Sequence, residues 1–162
     1  MANLEQAIST ALNSFDKIKD LKKEQLLVVQ KLVDKRDVFA ELPTGFGKSL
    51  TYQVFPGVCE ALRQQGEPWP EYPIVFLVCP LNSIMKEQVE YLRKNDVSAV
   101  FVGESAAVDE LILEGTTRFR IIFGSPELLV GSDRFRSLFQ RKVYRENTVA
   151  LVCDEVHTVV KW

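Results

Sequence analysis

The sequence lacks the features that are typical of membrane proteins, secreted proteins and proteins with a structural zinc site. No apolar run approaches the roughly 18 residues that a membrane-spanning helix needs. The N-terminus shows no basic stretch followed by an apolar core, so we expect no secretory signal. The three cysteines, Cys59, Cys79 and Cys153, lie far apart and show no zinc spacing. They favour buried, reduced thiols in a cytosolic or nuclear protein.

The chain also has almost no excess of charge of either sign. The chain has 20 Lys and Arg against 22 Asp and Glu, a formal net charge of -2. Since this balance gives no overall attraction to nucleic acid, any such binding must come from local groups. One basic run offers such groups, and its members are Arg134, Arg136, Arg141, Lys142 and Arg145. Acidic residues flank this run, which favours a solvated face over a patch that faces DNA.

The pattern along the chain alternates between strands and helices. Apolar runs predict strands at 37–41, 74–79, 99–102, 120–123 and 149–153. Helical spacing predicts helices at 4–15, 22–32, 49–64, 81–94, 106–114 and 133–140, with a short one opening at Pro126. The Pro- and Gly-containing stretch 66–73 predicts a surface loop. This alternation predicts an α/β fold with a mostly parallel sheet, helices on both faces, and ligands at the carboxyl ends of the strands.

A glycine-containing stretch after the first predicted strand is the most informative motif. Its residues are Pro43, Thr44, Gly45, Phe46, Gly47, Lys48 and Ser49. The glycines allow successive N–H groups to point at one anion, Lys48 can reach the outer phosphates, and the Ser49 hydroxyl can hold Mg²⁺. A strand before the loop and a helix after it are the context that this motif requires. The sequence therefore predicts a nucleoside triphosphate site, although Leu42 stands where the usual pattern has a glycine.

An acidic pair, Asp154 and Glu155, directly follows the last predicted strand. A carboxylate in this position can hold magnesium through a water shell, and a second can orient and deprotonate an attacking water. Taken alone, such a pair is more often a solvated turn or a helix cap. The presence of Lys48 and Ser49 in the same chain favours a catalytic pair.

These motifs together resemble the first motor domain of superfamily 2 helicases, and most closely that of the RecQ-like DNA helicases. The stretch 43–53 resembles the family's motif I, although Phe46 stands where a small residue is usual. Asp154-Glu155-Val156-His157 resembles its DEAH box. The resemblance implies a RecA-like P-loop NTPase fold that binds ATP and Mg²⁺. It also implies that His157 relays the nucleotide state to the DNA-binding side.

Further blocks resemble the family's nucleic-acid-contacting motifs Ia and Ib and the start of its aromatic-rich loop. The resemblance assigns DNA contact to Pro80, Leu81, Ser83, Lys86, Gln88, Ser125, Pro126, Glu127 and Trp162. Considered alone, the first two blocks are ordinary helix starts, with Ser125 as a cap for the second. Ser83 and Lys86 can contact phosphate, while Trp162 either stacks on a base or is buried in the core.

Lys22 and Gln25 resemble motif 0, which recognises adenine in this family. A glutamine amide can donate and accept at the edge of adenine. Lys22 stands where arginine is usual, and lysine lacks the planar guanidinium that stacks on a base. A solvated, charged helix face is the alternative for this segment.

The resemblance implies the motor half of an ATP-dependent 3′–5′ DNA helicase that acts on single strands or forks in DNA repair and recombination. We expect an N-terminal helical segment at 1–35 and an ATP-binding domain at 36–162 that is incomplete at its C-terminus. A second RecA-like domain with an arginine finger is expected in the full-length protein, so this chain alone would be a weak ATPase that does not unwind DNA. The expected location is nuclear, or otherwise cytoplasmic. Two alternatives stay open: a non-catalytic nucleotide- or nucleic-acid-binding module, and an RNA helicase or non-unwinding translocase.

Overall fold

A computed structural model of the chain describes residues 2–38, 40, 47–80 and 82–153. The chain divides into two compact units, residues 1–71 and 72–162. The first unit contains the helices α1 (Leu4–Leu12), α2 (Lys23–Val33), α3 (Ser49–Gln53) and α4 (Phe55–Gln64). The second unit contains β1 (Ile74–Val78), α5 (Asn82–Lys94), β2 (Ala99–Phe101), α6 (Ala106–Glu114), β3 (Ile121–Gly124), α7 (Pro126–Leu129), α8 (Asp133–Arg136), a 3₁₀ turn (Leu138–Gln140), α9 (Lys142–Asn147) and β4 (Thr148–Cys153). None of the described helices is long and apolar enough to cross a membrane. The predicted division between residues 35 and 36 stays a prediction.

In the first unit, α1 packs lengthwise against α4. The apolar face of α1 is buried, and a Cβ on Gly57 of α4 would lie 3.0 Å from the Cβ of Ala11. Glycine at this point of α4 thus allows the two helices to approach closely, since a larger residue would press against Ala11. The start of α1 is fixed by Asn3, whose Oδ1 accepts from the Gln6 N–H at 3.0 Å. The backbone of Asn3 also exchanges two hydrogen bonds with the Gln65 side chain just beyond α4, at 2.6 and 2.9 Å.

The helix predicted over residues 49–64 is divided into α3 and α4 at Val54. Pro56, the second residue of α4, has no N–H to donate to the carbonyl one turn earlier, so the helix is interrupted there. The α1 prediction was also too long, since the helix ends at Leu12 and residues 13–15 form a turn.

The stretch 66–73 is irregular, as predicted, but it does not lie wholly at the surface. Trp69 is only 8% exposed and meets Phe55 edge-to-face with ring centroids 6.0 Å apart. Arg63 Nη1 donates to the Trp69 carbonyl at 2.7 Å, and Lys35 Nζ lies 5.3 Å from the Trp69 ring centroid. The tryptophan therefore anchors this loop to the helices of the first unit.

The second unit is built on a four-stranded, all-parallel sheet with the strand order β2-β3-β1-β4. This confirms the predicted α/β class and the parallel sheet. The ladder is regular except for a register shift between Ile74 and Val75, where β1 meets β4. β1 and β3 lie at the centre, and every residue of both strands is buried, as their continuous apolar sequence predicts.

One face of this sheet is covered by a buried apolar cluster. On one face, residues of β1 and β3 join a cluster with the helices that follow β2 and β3, and the shared members are Ile74, Phe76, Val78, Val100, Val102, Ile112, Ile122, Leu129, Phe135, Leu138 and Tyr144. Helix α5 contacts β2 and buries Met85, Val89 and Leu92. Phe76 is the aromatic centre of the cluster, since its ring meets Phe139 and Tyr144 edge-to-face at 4.9 and 5.2 Å.

Two further predicted elements differ from the structure. Of the strand predicted at 37–41, the described residues Asp37, Val38 and Ala40 are in no strand. The helix predicted at 133–140 is α8 followed by a 3₁₀ turn, and α9 was not predicted. These helices are only three to six residues long, too short for a helical period to show in the sequence. Each is held by one buried side chain, namely Phe135, Leu138 or Tyr144.

Candidate nucleotide-binding and nucleic-acid-binding site

The described part of the phosphate-loop motif is a tight turn that leads into α3. Gly47 has φ +85°, in the left-handed region that favours glycine. Lys48 is the N-cap of α3, which begins at Ser49, and both residues are half-buried. The turn is closed by the Leu50 N–H, which donates to the Gly47 carbonyl at 3.1 Å. The preceding residues 41–46, which include Pro43, Thr44, Gly45 and Phe46, lie outside the described residues.

Thr51 is a supporting residue that the sequence interpretation did not single out. Its Oγ1 donates to the Lys48 carbonyl at 2.6 Å, and its backbone N–H donates to the same oxygen at 3.1 Å. The two bonds fix the peptide that follows Lys48. A hydroxyl residue two positions after the Ser of the motif is the signal that could have identified it.

The donor set of this turn fits a triphosphate with Mg²⁺. It provides an ammonium group at Lys48, a hydroxyl at Ser49 and an exposed glycine with φ +85° at position 47. The space beside Gly47 is closed to a larger residue, because an added Cβ would lie 2.8 Å from Gln25 Nε2. At Gly47 a ligand can therefore approach the backbone without an intervening side chain.

Gln25 is joined to this turn, a relationship that the sequence did not reveal. The residue is 3% exposed. Its Oε1 accepts from the Lys22 N–H at 2.8 Å, and its Nε2 donates to the Gly47 carbonyl at 2.8 Å. Lys22 is exposed at the N-cap of α2. The role of Lys22 and Gln25 in adenine recognition stays a prediction.

The predicted nucleic-acid and catalytic segments of the second unit follow three adjacent strands. Val78, the last residue of β1, is paired with Gly124 at the end of β3 and with Cys153 at the end of β4. Adjacent strands in such a sheet are about 4.8 Å apart. Pro80, Ser125 and Asp154 come one or two residues after these ends, although Asp154 itself lies outside the described residues. The carboxyl ends of these three strands therefore lie side by side at one edge of the sheet, and the motif Ia and Ib segments begin there.

The motif Ia segment forms the first turns of α5. Ser83 and Lys86 are exposed and lie one turn apart on the same side of this helix. Pro80 and Gln88 are half-buried, and Leu81 lies outside the described residues. The two exposed side chains present a hydroxyl and an ammonium group to solvent, a pair that suits phosphate oxygens.

The motif Ib segment is a capped helix start, as predicted. Ser125 Oγ accepts from the Leu128 N–H at 3.3 Å, and Pro126 is the first residue of α7. Both residues are buried, whereas Glu127 is exposed. The Ser125 hydroxyl is thus engaged in its own helix, and the predicted DNA contact of this segment stays a prediction.

The remaining predicted residues lie beyond the described part of the chain. They are Asp154, Glu155, His157 and Trp162. Among the residues that are described, no group of three His, Cys, Asp or Glu side chains could hold a metal ion.

The basic run of the second unit is a solvated face partly matched by acidic neighbours. All five basic residues are exposed. Arg136 pairs with Asp133 at 3.3 Å, and Lys142 pairs with Glu146 at 3.8 Å. Exposed pairs of this kind contribute about 1 kcal/mol or less to stability.

Comparison with known sequences shows what the chain is similar to. Residues 22–162 match the DEAD/DEAH box helicase family. The chain is 26% identical to the ATP-dependent DNA helicase hus2/rqh1 of Schizosaccharomyces pombe and 24% identical to the ATP-dependent DNA helicase Q1 of Rattus norvegicus, over 90% and 96% of its own length. It is 28% identical to the ATP-dependent DNA helicase RecQ of Synechocystis over 83% of its length. The chain spans only 11%, 24% and 26% of these three relatives.

The fold is similar to that of known helicase structures. The crystal structure of the DUF1998 helicase MrfA bound to DNA and AMPPNP superposes with a TM-score of 0.64 at 19% identity, over 94% of this chain and 21% of that one. At this identity the likeness shows the fold, a RecA-like α/β domain. The family match, which covers most of the chain, shows its membership. The chain belongs to the DEAD/DEAH box helicase family, and its relatives are helicases of the RecQ type.

Proposed function

We propose that this chain is the ATP-binding motor domain of an ATP-dependent 3′–5′ DNA helicase of the RecQ type. The observation that carries the proposal is the glycine turn at Gly47, which leads through Lys48 directly into α3. The names of the relatives, ATP-dependent DNA helicases from yeast, rat and a cyanobacterium, supply the substrate class. The full-length protein would couple ATP hydrolysis to DNA strand separation.

In this proposal each predicted site residue has a separate task. Lys48 contacts the outer phosphates, Ser49 and Asp154 hold Mg²⁺, and Glu155 orients the attacking water. His157 relays the nucleotide state to the DNA-binding side. Magnesium would neutralise charge that develops on the transferred phosphoryl group. The support for these tasks is the position of Lys48 and Ser49 at the glycine turn, and that of Asp154 directly after β4.

The same proposal places DNA, as a single strand or at a fork, along the carboxyl edge of the sheet. The exposed pair Ser83 and Lys86 at the start of α5 supports it, since both suit the sugar-phosphate backbone. Trp162 would stack on a base. The eukaryotic relatives support a nuclear location.

A second RecA-like domain completes this function in the full-length protein. Phosphoryl transfer without an arginine finger is slower by a factor on the order of a thousand or more. We therefore expect this chain to bind ATP–Mg²⁺ and to hydrolyse it slowly, without unwinding DNA by itself.

Lys48→Ala tests the nucleotide site. Because it removes a charged contact to phosphate, it should weaken ATP–Mg²⁺ binding by on the order of tenfold to a hundredfold, measured by calorimetric titration. Lys31→Ala is the matched control, since Lys31 is an exposed lysine in the last turn of α2. The control should bind like the wild type, and equal binding by both variants would refute the motor proposal.

Nucleic-acid stimulation distinguishes the alternatives. For a DNA helicase motor, single-stranded DNA should raise the slow ATPase rate, and RNA of the same sequence should raise it less. Stronger stimulation by RNA would favour an RNA helicase. Measurable ATP binding with no hydrolysis under any condition would favour a non-catalytic binding module.

A further inference from the structure

We propose that the basic run between α7 and β4 is a second nucleic-acid contact, which binds the phosphate backbone of duplex DNA next to the fork. Its members are Arg134, Arg136, Arg141, Lys142 and Arg145. The inference rests on the proposed DNA helicase function and adds the double-stranded part of the substrate to it. All five side chains are exposed, so a ligand can reach them.

The first support is the path of this segment across the sheet. Helix α7 begins at the carboxyl end of β3, and α9 leads directly into Thr148 at the amino end of β4. Because β3 and β4 both run parallel to β1, the connection between them must return along the length of the sheet. At about 3.3 Å per residue, the six residues of β4 span about 20 Å. The segment 126–147 therefore leads from the carboxyl edge, where the proposed single-strand path lies, to the opposite end of the sheet.

The second support is the division of this segment into an inner and an outer side. Phe135, Leu138 and Tyr144 are at most 2% exposed and belong to the apolar cluster on the sheet. The Phe139 ring packs against Phe76 in the same cluster. The basic residues stand between these apolar ones in the sequence and are exposed. The outer side of the segment thus carries positive charge along its length.

This composition indicates which form of nucleic acid fits. Surfaces that hold single strands combine positive charge with aromatic rings on which the bases stack. The three aromatic side chains of 133–147 pack on the sheet, so the basic run can contact phosphates but cannot stack on bases. Four of its five members are arginines, whose planar guanidinium groups bind phosphate oxygens in pairs. Contact with phosphates alone suits a duplex, in which the bases are already paired and stacked.

The third support is the charge that is left for a ligand. Arg134, Arg141 and Arg145 have no carboxylate at ion-pairing distance among the described residues. The other two members pair with acidic neighbours in exposed salt bridges, which a phosphate oxygen can replace at little cost. Arg141 and Arg145 lie one turn apart, since the Arg145 N–H donates to the Arg141 carbonyl at 3.0 Å. Helix α9 therefore presents two unpaired guanidinium groups on one side.

Arg141→Gln/Arg145→Gln tests the proposal, because it removes these two charges and keeps polar side chains at exposed positions. Fluorescence anisotropy measures Kd for a blunt DNA duplex and for a single strand of the same length at several salt concentrations. For the duplex we expect Kd to rise by on the order of tenfold. The slope of log Kd against log salt concentration should fall by about two, one for each phosphate contact that is lost. The Kd of the single strand should stay near that of the wild type.

Lys31→Gln/Lys94→Gln is the matched control. It also removes two exposed positive charges, one from the last turn of α2 and one from the last turn of α5. The control should leave the duplex Kd and its salt slope near those of the wild type. The thermal unfolding midpoint of each variant shows that it is folded at the temperature of the measurement.

Glu146→Gln should change the duplex affinity in the opposite direction. It removes the carboxylate that pairs with Lys142 at 3.8 Å and so leaves one more positive charge for phosphate. We expect the duplex Kd to fall by about twofold. Glu110→Gln, which removes an exposed carboxylate from α6, should not lower it.

Three results would overturn the inference. One is a duplex Kd for the double arginine variant that is unchanged or rises no more than in the control, which would leave the basic run a solvated face. Another is an equal loss of affinity for the single strand and the duplex, which would make the run part of the single-strand path. The third is a wild-type chain that binds the single strand but not the duplex, which would leave the proposed motor function intact. A wild-type chain that binds neither form would refute the proposed DNA function as well.

Discussion

Tyr144 and Ile112 form a buried hydrogen bond, in which Tyr144 Oη donates to the Ile112 carbonyl at 2.5 Å. The bond joins α9 to the end of α6, and the Tyr144 ring is 1% exposed. The Ile112 carbonyl also accepts from the Gly115 N–H at 3.2 Å. The short helix α9 is thus fixed to the core by one residue that is both aromatic and polar.

Tyr144→Phe should lower the free energy of unfolding by about 1 kcal/mol. The loss is modest because the Ile112 carbonyl keeps its bond from Gly115 and the ring keeps its packing against Phe76. Urea denaturation followed by circular dichroism measures it. Tyr72→Phe is the control, since Tyr72 is 44% exposed and keeps its ring against Arg120 after the change. A control loss as large as that of Tyr144→Phe would contradict the role of the buried bond.

The stability that Tyr144 contributes should depend on pH only under alkaline conditions. Burial raises the pKa of Tyr144 from 10 to about 12, while the Thr116 backbone and Arg141 oppose this in part. Below pH 10 the hydroxyl is protonated in both states, so its contribution is complete. As pH rises from 10 to 12 it ionises first in the unfolded chain, which favours unfolding. The advantage of wild type over Tyr144→Phe should therefore shrink over this range in urea denaturations at stepped pH, and parallel curves would contradict the assignment.

Gly115→Ala should destabilise the chain more than Gly103→Ala. Both glycines have φ +96°, a region in which alanine is strained by about 1 kcal/mol or more. At Gly115 the new Cβ would also lie 2.7 Å from Val143 Cγ1, whereas at Gly103 its nearest neighbour is Leu128 Cδ1 at 3.8 Å. The difference between the two midpoints in urea therefore isolates the collision with Val143. Equal losses would show that Val143 moves freely.

The three thiols should differ in reactivity toward a disulfide reagent such as DTNB. Cys59 and Cys79 are buried and Cys153 is exposed. Burial, with a smaller contribution from Glu60, raises the pKa of the Cys59 thiol and suppresses its reactive thiolate. Partial burial also raises the pKa of Cys153, but the reagent can reach it. We expect one thiol to react in the native chain and three after unfolding.

Cys153→Ser is the matched variant for this measurement. It should remove the native reaction and leave two thiols that react only in denaturant. Rapid native labelling of the serine variant would mean that Cys59 or Cys79 is accessible, which would contradict the burial of these two thiols.

The central strands and the local caps could be predicted from the sequence. β1 and β3 could be predicted because they are buried on both faces, so their sequences are continuously apolar. Two helix ends could also be predicted, namely the end of α6 at Gly115 and the start of α7 at its cap Ser125. Each depends on the chemistry of only one or two neighbouring residues. The alternation of strands and helices also predicted the parallel sheet, but it does not determine the strand order.

Other features depend on contacts between distant residues and could not be predicted. The hydrogen bond from Gln25 to Gly47 connects two segments that are 22 positions apart, and neither local sequence indicates the other as its partner. Helix α9 is held in place by Tyr144, which is buried in the core. With six residues it is too short for a helical pattern of apolar residues to be visible in the sequence. The interruption of the helix at Val54 has a local cause in Pro56, although the apolar spacing over 49–64 continues through it.

The register of the sheet also sets an order of assembly. β2 pairs with β3 through Ala99 and Ile121, β3 with β1 through Ile121 and Val75, and β1 with β4 through Val75 and Ala150. The intervening chain lengthens at each step, and closing the longest loop costs about 1 kcal/mol more entropy than closing the shortest. We therefore expect β4 to join last during refolding, after the other three strands are already paired.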